Sequence, residues 1–240
     1  YVMLIALWLG KDPPDSWNKL LLVPLYKGSG DFDDLDNWRG IALLPWTRKV
    51  LMRCMLNRMQ ELCSLCMSKT QSAYTRARSC IDVTYTLRRI MEDYRVIQGK
   101  TRNHGADPDN DLYLLFVDFS KAFDTVPRKV LWYLLKHKYH VPEEPLRLLI
   151  KLHTNTTARV TYKGKLDTED FKIEVGTMQG AVTAAILWNL YLNSVMQWKQ
   201  RIGKGVGVTV SYHVDGSLRT VKECDEKIGG RRVKINELVF

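Results

Sequence analysis

Six apolar residues, Leu112-Tyr-Leu-Leu-Phe-Val117, run directly into a single carboxylate, Asp118. A continuous apolar run of this length reads as a strand buried on both faces, and the acid at its end marks the point where that strand reaches a rim. The following Phe119-Ser-Lys-Ala-Phe-Asp-Thr-Val126 is a polar-apolar mixture suited to a turn, and Pro127 opens a helix. A carboxylate held between a buried strand and a helix start is well placed to bind a divalent cation. The same residues would also serve a plain helix cap.

Charge narrows the class of partner. The chain of 240 residues has a formal net charge of +10, and between Arg39 and Arg102 there are 13 Lys and Arg against 4 Asp and Glu, an excess of +9. Such localisation is the footprint expected of binding to a phosphate backbone. Five cysteines, odd in number and without framework spacing, point to a reducing intracellular compartment, cytoplasmic or nuclear. Cys63 and Cys66 form one C-x-x-C inside a helical pattern, where the spacing serves a packed face as well as a zinc site. The opening Tyr1 to Leu9 is apolar but too short to span a bilayer, and it reads as a buried helix.

Along the chain, Asp15 to Lys27 ends in a strand-like run, Gly28 to Asp36 is a polar turn, and Asn37 to Leu44 returns as the second strand of a hairpin. Thr47 to Met67 is helical, with Val50, Leu51, Cys54, Met55, Met59 and Leu62 on a packing stripe and Arg48, Lys49, Arg53 and Arg58 on a basic side. Ser79-Cys-Ile-Asp82 matches a capping box and starts a second helix, with Thr84, Leu87, Met91 and Tyr94 on one stripe. Gly99 to Asp111 is a polar loop; its Gly-Lys-Thr lacks the earlier glycine of a phosphate-binding loop. Pro127 to Tyr139 and Pro142 to His153 are amphipathic helices whose lysines and histidines face solvent. Ala158 to Tyr162 and Phe171 to Val175 make a hairpin, and Gly176-Thr-Met-Gln-Gly180 leads into an apolar helix from Ala181 to about Trp198.

Read together, Phe116-Val-Asp-Phe-Ser-Lys-Ala-Phe-Asp124 resembles the first catalytic motif of reverse transcriptases of non-LTR (LINE-type) retrotransposons. Val23 to Lys27, Asn37 to Leu44 and Gln71 to Ser79 are similar to that family's fingers motifs, and Gly176 to Gly180 to its second palm motif. The resemblance implies an α+β fold of palm and fingers, with an antiparallel sheet and helices packed on one face. It spans about residues 15–240, with 1–111 a fingers-like basic region and 112–240 a partial palm. It further implies that Asp118 and the backbone of Phe119 bind catalytic Mg²⁺, two ions in a complete site. Phe123 would exclude a ribose 2′-hydroxyl, Gln179 and Gly180 would contact the nucleotide, and Lys27 and Arg39 would face its phosphates. The implied partners are an RNA template, a DNA primer and deoxynucleotides, with no membrane. This chain departs from the family in having Ala73 and Ala77 where glycine is usual, and Met178 where a basic residue is common.

Two Mg²⁺ ions need a second cluster of acids. Asp215, in Tyr212-His-Val-Asp-Gly216, is one candidate, although the sequence there also suits a turn and has no adjacent acid. Lys234 to Phe240 is similar to the segment that leads into the family's Ala-Asp-Asp, so the expectation is a chain stopping short of those acids. Two further readings follow: a catalytically dead nucleic-acid-binding remnant, and a structural or interaction domain.

Overall fold

A computed structural model describes residues 2–68, 70–101, 112–166, 168–202, 208–212 and 231–235. The chain divides into two compact units, Tyr1–Met67 with Phe119–Met196, and Ser68–Asp118 with Gln197–Phe240.

The first unit is built on a mixed sheet. β1 (Lys19–Tyr26) and β2 (Trp38–Leu43) form the expected antiparallel hairpin, in register from Leu21 opposite Leu43 to Tyr26 opposite Trp38. The turn between them is held by its own acids: Asp31 and Asp34 accept from the amides of Asp33 and Asp36. Phe32 packs edge-on against Trp38, with ring centroids 4.7 Å apart, and Trp38 donates its indole N–H to the Phe32 carbonyl. β3 (Thr157–Tyr162) lies parallel to β1, and the short β4 (Lys165–Leu166) and β5 (Phe171–Lys172) pair antiparallel with β3. The strand order is β2-β1-β3-β4, with β5 also on β3. The α+β class is as expected, while the parallel β1–β3 pair departs from an all-antiparallel sheet.

Helices cover this sheet. α2 (Trp46–Cys66), α4 (Arg128–His137), α5 (Glu143–His153) and α6 (Ala184–Ile202) contribute Met52, Met55, Leu131, Leu148 and Leu187 to a core that also holds Leu20, Ala42 and Ala158 from the strands. The buried stripe of α2 is Leu51, Met52, Met55, Leu56 and Met59, whereas Val50 and Cys54 are exposed. This stripe is rotated by about one position from the one expected, because Leu51 and Met52 compete for the same face and only tertiary packing ranks them. α1 (Val2–Trp8) is a helix but not a buried one: only Leu7 is buried, and Val2, Met3 and Ile5 are exposed.

In the second unit, α3 (Cys80–Thr101) starts at the expected capping box, where the Asp82 carboxylate accepts from the Ser79 amide at 2.7 Å. Among its described side chains Val83 and Ile90 are buried, one position away from the expected stripe, and the helix continues through Gly99 to Thr101, in place of the expected loop. The preceding turn places Ala77 at φ +58, a left-handed conformation that explains why glycine is usual there. β6 (Val208–Tyr212) and β7 (Arg231–Ile235) form an antiparallel pair.

The segment around Leu112 to Asp118 corrects the expectation of a buried strand. It forms no strand, and Tyr113, Leu115, Phe116 and Val117 are exposed. An apolar run becomes a two-sided strand only where neighbours pair with it, and residues 112–118 pair with none of the described strands.

Candidate functional site

In the first unit two loops singled out from sequence meet at a junction. Phe119 to Val126 turns through Lys121 at φ +52, with the Asp124 and Thr125 amides donating to the Lys121 carbonyl. Gly176 to Gly180 lies against this turn. The Thr177 amide donates to the Phe123 carbonyl at 2.8 Å, and the Gly176 amide donates to the Val126 carbonyl at 3.0 Å. Gly176 has φ +82, and a Cβ there would come within 2.7 Å of the Asp124 carbonyl oxygen. Glycine is required on both counts.

The other end of the loop is tied to the hairpin. The Ala42 amide of β2 donates to the Gln179 carbonyl at 2.8 Å. Gly180, at φ +102, approaches so closely that a Cβ would lie 2.7 Å from the Ala42 carbonyl oxygen. Phe123, Gln179, Gly180 and the strand carrying Arg39 are thus gathered into one hydrogen-bonded assembly. The Phe123 ring leans on Trp188 of α6 at 6.0 Å between centroids, and Phe119 meets the same indole edge-on at 5.5 Å. A rigid aromatic floor therefore supports both side chains.

The remaining expected site residues are placed differently. Lys27 is exposed and donates its Nζ to the Asp36 carbonyl at 2.7 Å, inside its own hairpin turn. Lys121 pairs with the Asp36 carboxylate at 2.7 Å, which holds that carboxyl below its ordinary range and raises Lys121. Both partners are exposed, so the pair adds little to stability. Asp124 is raised by desolvation, with Lys121 pulling the other way. Asp118 is exposed, in irregular backbone, and belongs to the other unit. Asp215 lies outside the described residues, as do residues 236–240.

Among the described residues no three His, Cys, Asp or Glu side chains come together as metal ligands. Asp118 offers one carboxylate toward the several oxygen ligands that a divalent ion takes.

Two arginines behind the loop were missed as site residues. Arg128, almost fully buried, donates Nε to the Gly176 carbonyl at 2.8 Å, Nη1 to the His153 and Ile173 carbonyls at 2.7 and 2.8 Å, and Nη2 to the Val175 carbonyl at 3.2 Å. Arg48, read from sequence as part of the basic face, is fully buried instead. It donates to the Trp17 and Leu152 carbonyls and touches the Met178 sulfur at 3.8 Å. Burial, then the charge of Arg128, lowers the Arg48 pKa to about 10. His153, expected in solvent, is also buried; desolvation first, and the two guanidiniums after it, push it down to about 3. A sequence signal for both arginines existed. Each stands in the first turn of a helix without an acid there, where the macrodipole disfavours a cation, so another partner had to hold it. The partners include the C-terminal carbonyls of α5, which carry the opposite partial charge.

No helix of the described residues is long and apolar enough to cross a membrane. A family model described as "Reverse transcriptase (RNA-dependent DNA polymerase)" matches residues 27–228. No curated protein matches the chain.

Proposed function

The chain belongs to the reverse transcriptase family, and from that premise we propose that it is the RNA-directed DNA polymerase domain of a non-LTR retroelement. The single observation that carries this reading is the junction of the Phe123 turn, the Gln179 loop and the Ala42 strand, because it brings together residues from three of the motifs that resemble that family.

In the proposed reaction a primer 3′-hydroxyl attacks the α-phosphate of a deoxynucleotide and pyrophosphate leaves. In this reading Phe123, propped on Trp188, would present a ring edge to a ribose 2′-hydroxyl. Gly180, lacking a side chain, lets the loop that carries Gln179 sit directly on the Ala42 strand. Arg39, exposed at the hairpin, is available to a phosphate. Lys27 would have to leave the Asp36 carbonyl to do the same. Asp118 is the residue that would hold Mg²⁺, together with further acids. The ion, when bound, supplies charge neutralisation for the attacking and leaving oxygens. The palm would comprise residues from 112 onward and the fingers those before.

The basic stretch between Arg39 and Arg102 supports a second reading, a nucleic-acid-binding domain with little polymerase activity. Primer extension on an RNA template, in Mg²⁺ and in Mn²⁺, separates the two. The polymerase reading expects product that Asp118→Asn abolishes. Salt-sensitive RNA binding without Asp118-dependent product establishes the second reading in its place, and the absence of both activities overturns both.

A further inference from the structure

We infer that Arg128 is a positioning residue that sets the Phe123 turn and the Gln179 loop against each other, so that sugar selectivity and nucleotide affinity are governed by a side chain touching neither. The inference deepens the reading of these loops as a nucleotide site and rests on it for its functional part.

Arg128 stands two residues beyond Val126, whose carbonyl accepts from Gly176, and its own guanidinium reaches round to the Gly176 carbonyl. Gly176 is therefore held from both sides of one peptide chain. The other guanidinium bonds go to Ile173 and Val175, just upstream in the loop, and to His153 at the end of α5. Four carbonyls from two segments, residues 173–176 and the end of α5, converge on one planar fork. No carboxylate is among these partners, so the buried charge is satisfied only by carbonyls in this one arrangement. Moving the loop would strip hydrogen bonds from a cation that has little water to replace them. Lysine cannot substitute, because an ammonium is a point donor and cannot span carbonyls spread along a fork.

Downstream, Thr177 passes the constraint to both motifs. Its amide and its Oγ1, at 2.8 and 3.4 Å, donate to the Phe123 carbonyl, and it is fully buried. Two residues further on, Gln179 is bonded to β2. A shift at Gly176 would thus be felt at Phe123 and at Gln179 together.

Amide hydrogen exchange on the 240-residue chain tests the positioning itself. Arg128→Lys should speed exchange at Gly176 and Thr177 by about tenfold or more, the effect of losing a hydrogen bond to a charged group, while core amides of α2 and α6 keep wild-type protection. A folded Arg128→Lys protein with wild-type exchange at both amides overturns the inference. If that variant does not fold, native-state exchange of the wild type in rising denaturant decides. Gly176, Thr177 and Ala42 should then open as one unit, and three separate openings overturn the inference. The functional part is read by primer extension, where Arg128→Lys should raise the KM for deoxynucleotide and weaken discrimination against ribonucleotide together. A uniform loss of kcat with unchanged discrimination overturns that part. Failure of the wild type to extend any primer would count against the polymerase reading alone and leave the exchange result standing.

Discussion

His153 shows how burial changes a residue's chemistry without a change in its identity. Its Nδ1 is 2.8 Å from the Leu149 carbonyl, its ring meets Trp132 edge-on at 5.3 Å, and Nε2 has no partner. Held neutral with a pKa near 3 in the fold against 6.5 for the free group, it takes up a proton on unfolding whenever the pH lies between those values. The unfolded chain then binds more protons, so stability falls as pH drops through that window, at about 1.4 kcal/mol per pH unit from this residue. Urea unfolding of wild type and His153→Gln at several pH values should show the difference between them narrowing from pH 7 toward pH 4. Parallel pH profiles would show that His153 takes up its proton in the fold at the same pH as in the unfolded chain. Gly176 makes the same point for backbone: its positive φ and the neighbouring Asp124 carbonyl together admit no side chain.

At the scale of elements, amphipathic helices with clear boundaries were legible, and the residues from Leu112 to Val117 were not. Pro127 and Pro142 sit immediately before α4 and α5, and Ser79 and Asp82 open α3, so local chemistry sets those starts. The Leu112–Val117 run has strong intrinsic strand character, but a sheet is made by pairing between distant segments, and this run pairs with none of the described strands. Leu115, at 88% exposure, discriminates between the two descriptions. Leu115→Lys should change unfolding free energy by no more than about 0.5 kcal/mol, as expected of a surface change. A loss of about 3 kcal/mol or more, the cost of placing an unpaired charge in a core, would instead restore the buried strand.

For the molecule as a whole, the net charge of +10 directs the choice of partner, but not every cation contributes to it equally. Arg48 is buried, Arg58 lies over the Trp8 ring at 4.4 Å, and Arg88 and Arg89 are paired with Glu92 and Asp93. Lys49 and Arg53 remain exposed on α2. RNA affinity should fall with salt, and Lys49→Gln with Arg53→Gln should reduce the slope of log K against log salt by roughly 0.7 for each phosphate that is no longer neutralised. Arg48→Gln should instead lower thermal stability with the slope unchanged. A reduced slope for Arg48→Gln in the folded protein would return that residue to the binding surface.

What the sequence by itself determined is the set of local elements and the family: hairpin, capped helices, motif order and a basic region all depend on neighbours close in the chain. Tertiary structure alone decided that Arg48, Arg128 and His153 go inside, which face of α2 and α3 is buried, and that β1 pairs in parallel with β3. These outcomes depend on groups separated by many residues, such as the 104 between Arg48 and the Leu152 carbonyl. The physical reason is that a buried cation is tolerable only where distant carbonyls converge to solvate it, and the fold makes that convergence.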